Sequence, residues 1–160
     1  MSPACGHAVE RLVGRAPRPE SFLARLRRDG MASGVSDEIA QLLTSEPLMA
    51  HVATCRDGRP HVAPVWYRYE DGVVELVTGG TKLRNIRENP RVALSIQKDD
   101  GGDAQWMVSL LGTATVVDDA EATREATRKI NRKYGVDDDA WAENTLVRID
   151  VGTASHRTYD

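Results

Sequence analysis

Two short runs in this 160-residue chain carry residue types suited to holding a charged or planar small molecule. Gly79-Gly80-Thr81-Lys82 sets two glycines, which let main chain approach an anion, ahead of a hydroxyl and an ammonium. A helix beginning there would turn its first N–H groups outward toward the same point. Taken alone, the four residues equally make an ordinary turn ending in a surface lysine. Trp66, in Pro64-Val65-Trp66, is either core filling or a flat wall for a ligand. His51 and His61 fall on adjacent β-rich runs and could approach each other across a hairpin, in a structural role or as proton-transfer groups. Cys5 and Cys55 lie far apart without ligand-like spacing and read as reduced thiols, and no His/Asp/Glu cluster has metal-ligand spacing. No residue is assigned as a catalytic acid, base or nucleophile.

Composition narrows the partners. Residues 1–30 hold six Arg against three acids, whereas residues 31–160 hold fifteen basic residues against twenty-one acids. Such an acidic body repels a phosphate backbone, which argues against nucleic acid as a partner. No stretch approaches the roughly 20 apolar residues of a membrane span, and the start lacks a secretory pattern, so a cytoplasmic location is expected.

The elements that must position these residues begin near Ser36. Residues 1–35, with Pro3, Pro17 and Pro19 around one amphipathic stretch from Glu20 to Arg28, read as an N-terminal extension. Its Met31 resembles an ordinary protein start, and residues 1–30 are expected to be dispensable for ligand binding. The domain is expected over residues 36–160. Ser36 followed by Asp37 and Glu38 starts a short helix with Ile39, Leu42 and Leu43 on one face. Leu48 to Cys55, His61 to Glu70 and Val73 to Thr78 read as three strands of a meander, turned at Asp57-Gly58 and Asp71-Gly72. A helical stretch from Lys82 to about Glu88 and a strand from Arg91 to Gln97 follow. A long strand from Trp106 to Val117 comes next, bent at Gly112.

Asp118-Asp119 opens the best helix, with Ala122, Ala126 and Ile130 on one face and Gly135 as a left-handed cap. Arg128, Lys129, Arg132 and Lys133 near its end read as a solvated face that complements the helix dipole, with phosphate binding as the alternative. Leu146 to Val151 is the last strand. Six strands and three small helices joined by tight turns exclude a doubly wound sheet and give a mainly β, antiparallel, partly open barrel.

In that order, HVATCRDGRPHVAPVWYRYEDGVVELVTGG from His51 to Gly80, then TKLRNIRENPRVALSIQ from Thr81 to Gln97, resembles the pyridoxamine 5′-phosphate oxidase-like FMN-binding split β-barrels. Leu111-Gly112-Thr113-Ala114 extends the likeness, which spans roughly residues 36 to 151. The resemblance implies a homodimer with a flavin ring in a cleft between subunits, against the backbone at Pro64, Val65 and Trp66. It places the cofactor's phosphate at Thr78, Gly80, Thr81 and Lys82.

FMN is the implied cofactor and a deazaflavin coenzyme the alternative. The implied activity is an oxidoreductase passing a hydride to or from a small molecule. A non-catalytic flavin- or haem-binding module is the competing class, with His51, His61 or His156 as the plausible axial ligand. The chain departs from true pyridoxamine-phosphate oxidases at Ala63, where those carry arginine, and at Thr81-Lys82, where they carry Arg-Lys. It also lacks their basic, Trp-containing C-terminal segment, so pyridoxamine phosphate is not the expected substrate. Arg84 and Arg87 share the short helix with Lys82 and are expected to face solvent.

Overall fold

A computed structural model describes residues 34–159; the Glu20–Arg28 stretch, Cys5 and Met31 lie outside the described residues. Helix α1 (Asp37–Ser45) starts where Ser36 Oγ accepts the Ile39 N–H at 3.3 Å, and it buries Ile39 and Leu43. Strands β1 (Ala50–Arg56) and β2 (Arg59–Val65) are joined by Asp57-Gly58, both at positive φ (50° and 71°), as a two-residue hairpin requires. Strands β3 (Arg68–Glu70) and β4 (Val73–Thr78) use Asp71-Gly72 in the same way. Helix α2 (Gly80–Glu88) leads to β5 (Arg91–Asp100), and Gly101-Gly102 turns the chain into β6 (Asp103–Val117). Helix α3 (Ala120–Tyr134) is capped by the Asp119 side chain and closed by Gly135 at φ 69°, and β7 (Thr145–Thr158) ends the fold.

All strand pairs are antiparallel, in the order β2-β1-β5-β6-β7-β4-β3. The sheet therefore has seven strands where six were expected, because the His61–Glu70 run breaks at Trp66-Tyr67. The expected meander is replaced as well: β2 and β3 lie at opposite edges of the sheet. Two linking residues can join opposite edges only if the sheet curls until those edges meet. With no ladder between them, the barrel stays split.

The packing shows why the run breaks. Tyr67 is fully buried and its phenol donates to the Leu43 carbonyl at 2.8 Å, while Trp66 packs beneath α3. Elsewhere the period-two pattern holds. Val92, Leu94 and Ile96 on β5 and Val147, Ile149 and Val151 on β7 all face the core. The β6–β7 ladder shifts register between Leu111 and Gly112, where a Cβ on Gly112 would lie 2.7 Å from the Asp150 carbonyl oxygen. A second, smaller core of Val77, Ala126, Ile130 and Leu146 fixes α3 to β4 and β7.

Candidate functional site

The turn from Thr78 to Lys82 is set by three anchors. Thr78 is buried and pairs with Thr145 on β7. Asn85, also buried, donates to Thr54 Oγ1 at 3.0 Å, and Glu88 meets Arg56 Nε at 2.8 Å, so α2 runs along β1 in the same direction. Three residues before Asn85, a rise of about 4.5 Å along the helix, stands Lys82 in the first turn of α2. Gly79 precedes the helix with no side-chain cap, leaving the first N–H groups of α2 open to a ligand. Gly80 adopts φ 61°, and a Cβ there would meet nothing within 4 Å, so the space beside the helix start is free. Thr81 Oγ1 accepts from Arg84, and Arg87 forms a bidentate pair with Asp118. Lys82 is half-buried, and no ion pair engages it among the described residues.

A cleft of about 520 Å³ adjoins this turn, lined by Asp118, Asp119, Thr123, Arg124, Asn144 and Thr145 among others. Asn144 links the two places, since a Cβ on Gly79 would come 3.2 Å from its Oδ1.

Pro64 and Val65 end the edge strand β2, with Pro64 exposed and Val65 buried, and Trp66 follows directly. Proline suits such an edge, where no ladder partner needs its missing N–H. Trp66 stacks on Tyr134 at 4.8 Å and 10°, and meets Trp141 at 6.2 Å and 87°. The last turn of α3 holds the linking residues from both sides. Tyr67 N–H donates to Tyr134 Oη at 3.2 Å, Tyr134 Oη donates to the Leu48 carbonyl at 2.6 Å, and Lys133 Nζ donates to the Tyr67 carbonyl at 3.1 Å. Lys133 Nζ also lies 3.8 Å above the Tyr67 ring.

Only part of the basic end of α3 is therefore a solvated face. Arg128, Lys129 and Arg132 are exposed and paired with Asp139, Glu125 and Asp138, whereas Lys133 turns inward. Aromatic partners around the linking residues, not charge spacing, decide which cation is buried. Sequence reading did not single out Tyr134 or Trp141; the one available signal was their aromatic type beside a helix end.

Burial pulls the Lys133 ammonium down to about 8 and raises the phenols of Tyr67 and Tyr134. Unfolding returns Lys133 to its ordinary 10.5, so between about pH 8 and 10.5 the unfolded chain binds more protons and stability rises with pH. The parent is expected to gain stability relative to Lys133→Met across that window, read as a widening gap between urea midpoints. A gap independent of pH would place the ammonium in solvent.

The two hairpin histidines do not meet. Thr54 opposes His61 and Pro64 opposes His51, which puts the imidazoles on opposite faces of the hairpin. His61 Nδ1 is buried without a hydrogen-bond partner, and His156 pairs with Glu38 at 3.2 Å. Among the described residues, no group of three or more His, Cys, Asp or Glu is placed to hold a metal ion, and no helix is long and apolar enough to cross a membrane.

A family model for pyridoxamine 5′-phosphate oxidase matches residues 35–156. No curated protein matches the chain. Among solved structures, an F420 reductase is 27% identical, with 72% of this chain and 94% of that one covered and a TM-score of 0.61. An FAD-binding protein from Mycobacterium smegmatis is 25% identical, covering 78% and 96% at a TM-score of 0.55. The haem storage protein of Vibrio cholerae, 16% identical over 76% and 93% at a TM-score of 0.64, shares the fold.

Proposed function

Because this chain belongs to the pyridoxamine 5′-phosphate oxidase family, we propose that it is a flavin-dependent oxidoreductase that holds FMN and exchanges a hydride with a small molecule. The observation that carries this reading is the Thr78–Lys82 turn: a helix start without a side-chain cap, a left-handed Gly80 with open space beside it, and a lysine that no ion pair engages among the described residues. Those groups suit a phosphate dianion, which would take N–H donors from the α2 start, the Thr81 hydroxyl and the Lys82 ammonium. Pro64, Val65 and Trp66, at the strand edge, would border the ring. The cofactor, when bound, supplies the hydride chemistry. The chain's part is to bind it, fix its ring and keep water from it.

A deazaflavin coenzyme is the second reading, favoured by the 27% identity to an F420 reductase and by a turn whose one cation, Lys82, has no ion pair among the described residues. Ala63 on β2 leaves no arginine at that strand position for a pyridoxamine phosphate site.

We place two chains around the cleft. Val62, Ala53, Ala93 and Leu111 oppose one another in turn across β2, β1, β5 and β6, and Val62 and Leu111 are 62% and 57% exposed. A row of apolar and small side chains on one sheet face is a surface a second copy would cover by two-fold symmetry.

Cofactor released from purified protein by denaturation, identified by mass, is the test, with light scattering on the same preparation. FMN or deazaflavin mass with a dimer is the expected result. A monomer that binds flavin tightly would overturn the shared cleft, and absence of both cofactors, or a Soret band, would overturn the proposed function.

A further inference from the structure

We propose that the cleft beside the Thr78–Lys82 turn is a subsite for carboxylates that a cofactor carries beyond its phosphate, and that it favours the deazaflavin coenzyme over FMN. The site rests on the reading of that turn as the phosphate seat. Its volume of about 520 Å³ falls in the range of roughly 300–1,000 Å³ typical of small-molecule sites. One wall is a single face of α3, where Ala120, Thr123, Arg124 and Thr127 recur at helical spacing. The other is formed by residues 138–144, whose backbone is fixed by Asn131 Nδ2 through the carbonyls of Asp138 and Ala140.

The hydrogen-bonding capacity left open in the cleft is of one kind. Its acids are already engaged: Asp118 by Arg87, Asp138 by Arg132, Asp139 by Arg128, and Asp119 by the Ala122 N–H that it caps. Its donors are not. Among the described residues no hydrogen bond or ion pair engages the side chains of Thr123, Arg124, Asn144 or Thr145. A cationic ligand would find no carboxylate without a protein donor already on it, and a neutral ligand would gain nothing from the Arg124 charge. Carboxylates accept hydrogen bonds from all four side chains and match that charge.

Asn144 ties the cleft to the phosphate seat. A Cβ on Gly79 would come 3.2 Å from its Oδ1, and Thr145, the next residue of the lining, pairs with Thr78. FMN ends at its phosphate and would stop short of these donors. The deazaflavin coenzyme continues from its phosphate, as a diester, into a chain of glutamates. Held in the same seat, that chain leads past Asn144 toward Arg124.

The test is a fluorescence titration of the full-length, cofactor-stripped protein with FMN, FAD, the deazaflavin coenzyme bearing its glutamates, and the same deazaflavin ending at its phosphate. Arg124→Ala is expected to weaken the glutamate-bearing coenzyme about 10-fold, the scale of one charge-assisted hydrogen bond, and to leave FMN and the shortened deazaflavin within about twofold of the parent. Asn144→Ala, which keeps the backbone N–H that serves the Trp141 carbonyl, should act in the same direction. Arg124 is exposed, so its replacement should leave the urea midpoint unchanged. Equal losses for the long and short deazaflavins, or a parent that binds the two equally, overturn the proposal. So does a dependence on Arg124 for FAD alone, which would give the cleft to a second phosphate. A parent whose FMN and short-deazaflavin affinities do not depend on Lys82 overturns the underlying reading of the turn, and is seen separately from the Arg124 comparison.

Discussion

Lys82→Ala is expected to weaken FMN or deazaflavin binding by about 10- to 150-fold, the equivalent of one charge-assisted hydrogen bond of roughly 1.5–3 kcal/mol. The size of the effect follows from how the cations of α2 are used. Arg84 is turned onto Thr81 Oγ1 and Arg87 is committed to Asp118, so neither is poised to replace the lost ammonium. Lys82 alone among them has no such partner in the described residues. Lys82→Arg should restore part of the affinity, because a planar fork carries the charge but not the compact geometry of an ammonium. Riboflavin, which lacks the phosphate, should bind weakly to the parent and be insensitive to Lys82→Ala. The measurement is a fluorescence titration of cofactor-stripped protein with each ligand. FMN and deazaflavin affinities within about twofold of the parent would move the phosphate to another part of the surface.

Asn131→Ala is expected to destabilise the fold by about 2 kcal/mol, at roughly 1 kcal/mol for each of the two N–H donors of the amide. Asn131 is fully buried, and the two N–H bonds of its amide are shared among three carbonyls at 2.8 to 3.1 Å, of which that of Asp137 also accepts the Ala140 N–H. Against a typical stability of roughly 5–15 kcal/mol, that is a large fraction. Asn131→Asp has almost the same shape yet presents only acceptors to those carbonyls, so it should be worse than alanine at neutral pH. Urea midpoints of the three proteins test this, and an Asn131→Asp protein as stable as the parent would show that the amide contacts contribute little. Because the loop carries Trp141, Asn131→Ala should also raise the quenching of Trp fluorescence by acrylamide.

Much of the local structure was legible in the residues themselves. Ser36 and Gly135 mark helix ends because a hydroxyl can satisfy a free N–H and a glycine can take a left-handed φ. Asp57-Gly58 and Asp71-Gly72 mark two hairpins for the same kind of reason, and Gly112 marks the register shift. The N–P–R–V–A–L run and its neighbours pointed to the family that the 35–156 match shows. The extent of the strands was less legible. β7 runs to Thr158, well past Val151, because its second half is held by pairing with β6 and needs no apolar alternation of its own.

The sequence by itself determined which backbone positions turn, which cap and which face inward, since those depend on one residue's φ preference, donors or apolar surface. Only the tertiary structure decided that His61–Glu70 divides between opposite edges of the sheet, that Lys133 folds over Tyr67 while its neighbours stay in solvent, and that Asn131 carries the Trp141 loop. The Lys133–Tyr67 and Tyr134–Tyr67 contacts join residues 66 and 67 positions apart. No periodicity encodes such partners. They exist because curling the sheet brings its edges under the end of α3, where buried backbone groups must find donors and acceptors from whatever chain the fold delivers there.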